Sequence, residues 1–180
     1  MNVRRRAVAR GVPAVLIVAV GGACSGAAPA APAASVMAAS APIQFEFPPV
    51  GDEPVISSAT MHGRVTALVF ITTFDLASQL AARRLGEVLV SFTPRANAAA
   101  VVIEAPVYAD LLPSYRSALA LPYPVVMADF ATQRGTGPFG SITHVPTLVI
   151  LDREGREVSR HEGSLDADQI KGALRRASAR

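Results

Sequence analysis

The chain has 180 residues, with 17 basic against 14 acidic side chains. Four of the arginines (Arg4, Arg5, Arg6 and Arg10) lie at the start, and without them the balance is 13 to 14, a net charge of −1. That balance, with no interleaving of aromatic and basic residues, excludes the footprint of a nucleic-acid binder, and a single cysteine, Cys24, excludes an intrachain disulfide framework or a cysteine-rich metal site.

Residues 1–23 read as a signal peptide. The basic head is followed by an apolar core, Val12 to Val20, and by Gly21, Gly22 and Ala23 before Cys24. The apolar run is about half of the roughly 20 residues a spanning helix requires, so export is expected rather than a permanent transmembrane helix. Cys24 has three readings: an incidental small hydrophobe, a thiol that pairs between chains, or a lipid-attachment site. Its place after Gly-Gly-Ala resembles a bacterial lipobox, from which Gly21 departs because that pattern prefers an aliphatic residue there. On the lipobox reading the cysteine is acylated and anchors the mature chain to a membrane of the cell envelope, facing the periplasm. Residues 24–42 are mostly Ala, Pro and Ser. They carry too little apolar surface to offset their ordering entropy and are expected to form a tether.

Residues 43–180 are the size of one ordinary domain. VTALVFIT (Val65–Thr72) is a continuous apolar run, as in a strand buried on both faces. From Asp75 to about Val90 the spacing predicts a helix with Leu76, Leu80, Leu85 and Leu89 near one side. AAVVIEA (Ala99–Ala105) is a second buried strand. Tyr108, Leu111, Leu112, Tyr115 and Leu119 then suggest a helix that Pro113 bends or restarts, with core packing as the default for those side chains. YPVVMAD gives a third strand, and GTGPFG (135–140) follows no P-loop pattern and reads as a flexible loop. Thr147–Leu151 and Glu157–His161 flank a turn at Asp152–Gly155 as a hairpin. The closing helix is capped by Asp166, with Gln169 completing a capping box, and buries Ile170 and Leu174. The order β-α-β-α-β-β-α predicts an α/β fold, a mixed sheet with helices on both faces, parallel first and antiparallel at its end.

Two segments resemble the thioredoxin-like superfamily, in particular its envelope-facing TlpA-like thiol-disulfide branch and the related AhpC-TSA group. HVPTLVILDREGREVSRHEG (144–163) is similar to the segment in which a cis-proline, here Pro146, precedes a strand, an Asp-x-x-Gly turn and a second strand ending in Gly. VTALVFITTFDLAS (65–78) looks like the strand leading into Trp-Ala-Thr-Trp-Cys-x-x-Cys. Aligned on that strand, Ile71 and Phe74 take the tryptophan positions, and Asp75 and Ser78 take the two cysteine positions. The resemblance spans about residues 45–174. It implies a thioredoxin-like fold with a cis-Pro loop before the C-terminal hairpin and helix, and a site at Thr73, Phe74, Asp75, Ser78, His144, Val145 and Pro146.

The chemistry of that resemblance needs sulfur. A thiol at a helix N-terminus attacks as a thiolate, and a second thiol resolves the mixed disulfide; peroxidase chemistry needs a thiolate that becomes a sulfenic acid. Aspartate and serine do neither, so the degenerate site implies a redox-inactive chain with no catalytic residue and no cofactor. No metal is expected, because His62, His144 and His161 lack ligand spacing. What the resemblance leaves is a groove for an extended peptide or an envelope protein. The alternative is a thiol-disulfide oxidoreductase or peroxidase-related enzyme that relies on a partner's cysteine. Asp75 also has a plain reading as a helix cap, for which Thr72 and Thr73 compete, and Ser78 is expected to be structural. An Asp75–His144 pair beside Ser78 would supply the parts for acid–base or nucleophilic work. His161, on an alternating strand, is expected at the surface.

Overall fold

The computed structural model describes residues 41–180; the signal peptide, Cys24 and nearly all of the tether lie outside the described residues. A short antiparallel ribbon, β1 (Glu46–Phe47) and β2 (Ile56–Ser57), and a one-turn helix, α1 (Ser58–Met61), precede β3 (Thr66–Ile71). There follow α2 (Leu76–Ser91), β4 (Asn97–Val102), a 3-10 segment (Pro106–Leu111), α3 (Leu112–Ala118), β5 (Val125–Met127) and the one-turn α4 (Phe130–Gln133). The chain closes with β6 (Thr147–Leu151), β7 (Glu157–Glu162) and α5 (Ala167–Ser178). The main sheet has the order β5-β4-β3-β6-β7, with β3, β4 and β5 parallel and β6 and β7 antiparallel, as the sequence predicts. The ribbon, α1 and α4 are additions to the expected order. Pro113 does restart a helix: the 3-10 segment ends at Leu111 and α3 opens with the proline in its first turn.

The central strand β3 is buried along its whole length because it feeds two cores. Ala67, Val69 and Ile71 pack towards α2, α3 and α5, among Leu85, Val88, Leu112, Ile170 and Leu174. Leu68 and Phe70 face the other way, onto Phe45, Phe47, Ile56 and Phe139, with Met61 of α1 at the margin. Each fully buried side chain of this size contributes roughly 1.5–3 kcal/mol. The 135–140 loop is anchored by this second core. The Phe139 ring lies 5.2 Å from that of Phe70 and 5.3 Å from that of Phe45, and the Thr136 and Gly137 N–H groups donate to Ala131 O.

The buried face of α2 differs from the predicted stripe. Its buried residues are Ser78, Ala81, Ala82, Leu85, Gly86 and Val88, whereas Leu76 and Leu80 are exposed. The reason is angular: Leu76 and Leu85 are nine residues apart, and at 3.6 residues per turn that is about half a turn. At the other end, α5 is capped as the sequence predicts, with reciprocal bonds between Asp166 and Gln169 of 2.8 and 2.9 Å, and it buries Ile170 and Leu174.

Candidate functional site

Strand direction gathers the site. β3, β4 and β5 all end at one edge of the sheet, Thr147 of β6 starts there opposite Phe70, and Glu162 of β7 ends there opposite Thr147. The segments after Ile71, Val102 and Met127 and the segment before Thr147 therefore converge on that edge, the usual place for a site in an open α/β sheet. Every residue singled out between 73 and 78 and between 144 and 146 belongs to it.

Asp75 is the N-cap of α2. Its carboxylate accepts from the N–H of Ser78 at 2.8 Å and of Ala77 at 3.2 Å. The Ser78 hydroxyl, followed by those N–H groups, holds its carboxyl below the usual carboxylate range. Ser78 is fully buried in the first turn, and its Oγ accepts from the Thr72 N–H at 3.3 Å. Asp75 and Ser78 thus satisfy one another and the helix end, which is the plain reading of both. A buried hydroxyl so engaged is not presented as a nucleophile.

Thr73 does not cap the helix. Its N–H and hydroxyl both donate to the carboxylate of Glu104, the hydroxyl at 3.0 and 2.9 Å from the two oxygens. Glu104 follows β4 and escaped the sequence reading because a lone glutamate after an apolar run carries no motif. Behind it lies Tyr115, also missed as a site residue. Burial first, then the carboxylates of Glu104 and Asp75, push its phenol up to about 12. Its hydroxyl is enclosed and has no hydrogen-bond partner among the described residues.

The His144 side of the edge differs from the expected pairing. His144 is exposed, and its Nδ1 lies 3.1 Å from Glu162 and 3.0 Å from the Thr143 hydroxyl. Among the described residues it makes no hydrogen bond or ion pair with Asp75, because the imidazole turns along the sheet to the end of β7. The Val145–Pro146 peptide is cis, as the resemblance implies; a second cis peptide, Thr93–Pro94, was not foreseen. Pro146 is buried, with its carbonyl accepting from Gly163 N–H at 2.7 Å. Val145 is half-buried, and its backbone makes no hydrogen bond among the described residues. His161 departs from the expected surface position: its Nε2 is enclosed and without a hydrogen-bond partner among the described residues.

Beside the cap the edge is apolar and open. Phe74 is 70% exposed and Leu76 77%, and the Phe74 ring meets Tyr108 edge-on at 5.4 Å. Tyr108, Val107 and Leu111 are exposed rather than core, because the 3-10 segment lies outside the sheet's cover. Exposed large apolar side chains gathered into one patch mark an interaction surface, whereas single scattered ones do not. The chemistry on offer is contact and backbone pairing, with no thiol, no Ser–His pair and no cluster of three metal-ligating side chains among the described residues.

No protein-family model matches the chain, and no curated protein matches it. Solved structures do. A secreted Mycobacterium tuberculosis disulfide oxidoreductase homologous to E. coli DsbE is similar at 16% identity and TM-score 0.60, covering 74% of this chain and 96% of that one. A thioredoxin-family thiol:disulfide interchange protein from Chlorobium tepidum gives 21% and 0.63, covering 78% and 97%. The exposed lipoprotein thioredoxin Etrx1 of Streptococcus pneumoniae gives 19% and 0.61, covering 74% and 98%. With the sheet order above, these likenesses establish a thioredoxin-like fold.

Proposed function

We propose that this chain is an exported, lipid-anchored bacterial protein whose thioredoxin-like domain is redox-inactive and serves as a periplasm-facing binding module for an extended peptide or an envelope protein. The observation that carries this reading is the pairing of an unbonded Val145 backbone with the exposed Phe74 and Leu76 across the same edge. An extended segment laid between them would pair its backbone with Val145 and bury its side chains on the aromatic surface, a form of strand addition. Asp75 and Ser78, which take the two cysteine positions when the chain is aligned on the strand that carries the resemblance, support the absence of disulfide exchange. Export and the lipid anchor rest on residues 1–24; among the described residues no helix is long and apolar enough to cross a membrane, and a neighbour in fold is described as an exposed lipoprotein. The alternative, an oxidoreductase or peroxidase-related enzyme that borrows a partner's cysteine, draws on the names of the fold neighbours alone.

Photo-crosslinking from position 76 in native envelopes tests the groove, with position 175 as the control. Ser78 is buried and unsuitable as a probe position, whereas Leu76 and Arg175 are exposed. The expected result is a discrete protein captured from 76, absent from 175 and lost when Phe74→Asp is added. Equal capture from both positions, or capture indifferent to Phe74→Asp, would count against the groove.

A further inference from the structure

The opposite edge of the sheet, where β3, β4 and β5 begin and β6 ends, carries two adjoining cavities. One, of about 230 Å3, is lined by Arg64, Arg95 and Arg153 together with Val65, Pro94 and Ser178. The other, of about 740 Å3, is lined by Val55, Met61, Leu89, Val90 and Pro122, and Arg95 borders it as well. Arg95 is thus shared by a cationic cleft and a larger one of mixed lining, in which Thr60 and Asn97 accompany the apolar stretch from Val55 to Val90.

None of the three arginines has an ion pair or a side-chain hydrogen bond among the described residues. The two acidic residues that flank Arg153 are already engaged: Arg156 lies 3.5 Å from the Asp152 carboxylate and 3.3 Å from that of Glu154. Three guanidinium groups around one concavity repel one another and raise the local potential until an anion enters, and their planar forks match phosphate oxygens. Next door, Val90 is 79% exposed and Val55 41%, an open apolar surface at the mouth of the larger cavity. That cavity is within the roughly 300–1,000 Å3 usual for small-molecule sites. A ligand complementary to both clefts has a phosphate at one end and a hydrocarbon at the other.

The geometry points to a binding site for an anionic amphiphile, with its phosphate held by Arg64, Arg95 and Arg153 and its aliphatic chain lying along Val55, Met61, Leu89 and Val90. The site is on the edge opposite the peptide groove and does not depend on it. The chain also enters the domain at this edge, where the Ile43 N–H donates to Gly155 O at 2.9 Å in the β6–β7 turn. The described chain therefore enters the domain at the turn that carries Arg153.

Calorimetric titration of the full chain with dodecyl phosphate, below its micelle concentration, tests the site. Dodecyl maltoside supplies a chain without the charge, and inorganic phosphate the charge without a chain. Dodecyl phosphate is expected to bind at least about tenfold more tightly than either, and Arg95→Ser or Val90→Glu to weaken it about tenfold, the scale of a charge-assisted contact. Both side chains are exposed, so an unchanged unfolding midpoint shows that the variants keep the fold. Equal binding of the maltoside, equal binding of inorganic phosphate, or indifference to both substitutions would overturn the proposal. Sedimentation with phosphatidic acid vesicles, lost in Arg95→Ser, would assign the bilayer as the source of the ligand; binding of dodecyl phosphate without vesicle binding would assign a free amphiphile.

Discussion

Replacing Glu104 with alanine removes the acceptor that serves both donors of Thr73, and the structure gives the size of the loss. Thr73 is 7% exposed, so its N–H and hydroxyl have little water to turn to. A hydrogen bond to a charged group contributes about 1.5–3 kcal/mol, and an orphaned buried donor costs about 1–3 kcal/mol. These are two descriptions of one event and do not add. Because Glu104 is only half-buried and water can follow the deleted side chain, the expected cost is about 2 kcal/mol, within both ranges and below the top of either. Glu104→Gln retains an acceptor oxygen and an amide that the Thr73 hydroxyl can pair with, so about 1 kcal/mol or less is expected. Urea unfolding of the two variants and the parent chain measures both values, with an unchanged slope as the check on a common unfolding transition. A Glu104→Ala midpoint within about 0.5 kcal/mol of the parent would refute the idea that Glu104 holds the loop bearing Thr73 and Phe74.

Gly86→Ala should destabilise the domain although alanine favours a helix by about 1 kcal/mol. A Cβ there would lie 2.9 Å from Cδ of Pro122, beside Tyr123, whose hydroxyl donates to Ala82 O at 2.6 Å, so the ring has little room to retreat. Overpacking of about 1–3 kcal/mol outweighs the propensity gain, and thermal unfolding should show a lower midpoint; a raised one would mean that the 122–123 turn yields. Alkaline titration followed by phenolate absorbance should show Tyr115 ionising near 12 rather than 10, and Tyr115→Phe should remove that step. Its folded pKa lies above the unfolded one, so its contribution to stability is intact below about pH 10 and is lost as pH rises through about 12. Glu104→Gln should move the step down, and a step unmoved would remove Glu104 from its causes.

Much of the fold could be read from local signals that tertiary contacts had no reason to override. VTALVFIT reads as buried on both faces because apolar side chains fill every position from Ala67 to Ile71, leaving no polar alternate face. The Asp152–Gly155 turn and the Asp166–Gln169 box complete their bonds within a few residues, as sequence patterns do. The ribbon at 46–47 and 56–57 and the one-turn helices escaped because elements of two to four residues have no period to detect. At the site, positions were legible and partners were not. Asp75 as a cap follows from its place before a helix, but the Thr73–Glu104 clamp joins residues 31 apart, and the His144–Glu162 pair depends on where a hairpin ends. Leu76 and Leu80 were misjudged for a related reason: leucine predicts burial on average, whereas the α2 face turned to the sheet is made of small residues around Leu85 and Val88.

Disulfide exchange is the most direct test of the claim that the site has lost its chemistry and kept its surface. The full chain carrying Cys24→Ser is expected to reduce a small aromatic disulfide no faster than buffer with dithiol alone. Adding Asp75→Cys and Ser78→Cys should create turnover, since position 75 caps α2, where the helix end lowers a thiol's pKa. Turnover by the Cys24→Ser chain without those two substitutions would contradict the account, because it would require a reaction centre that neither Asp75 nor Ser78 can supply.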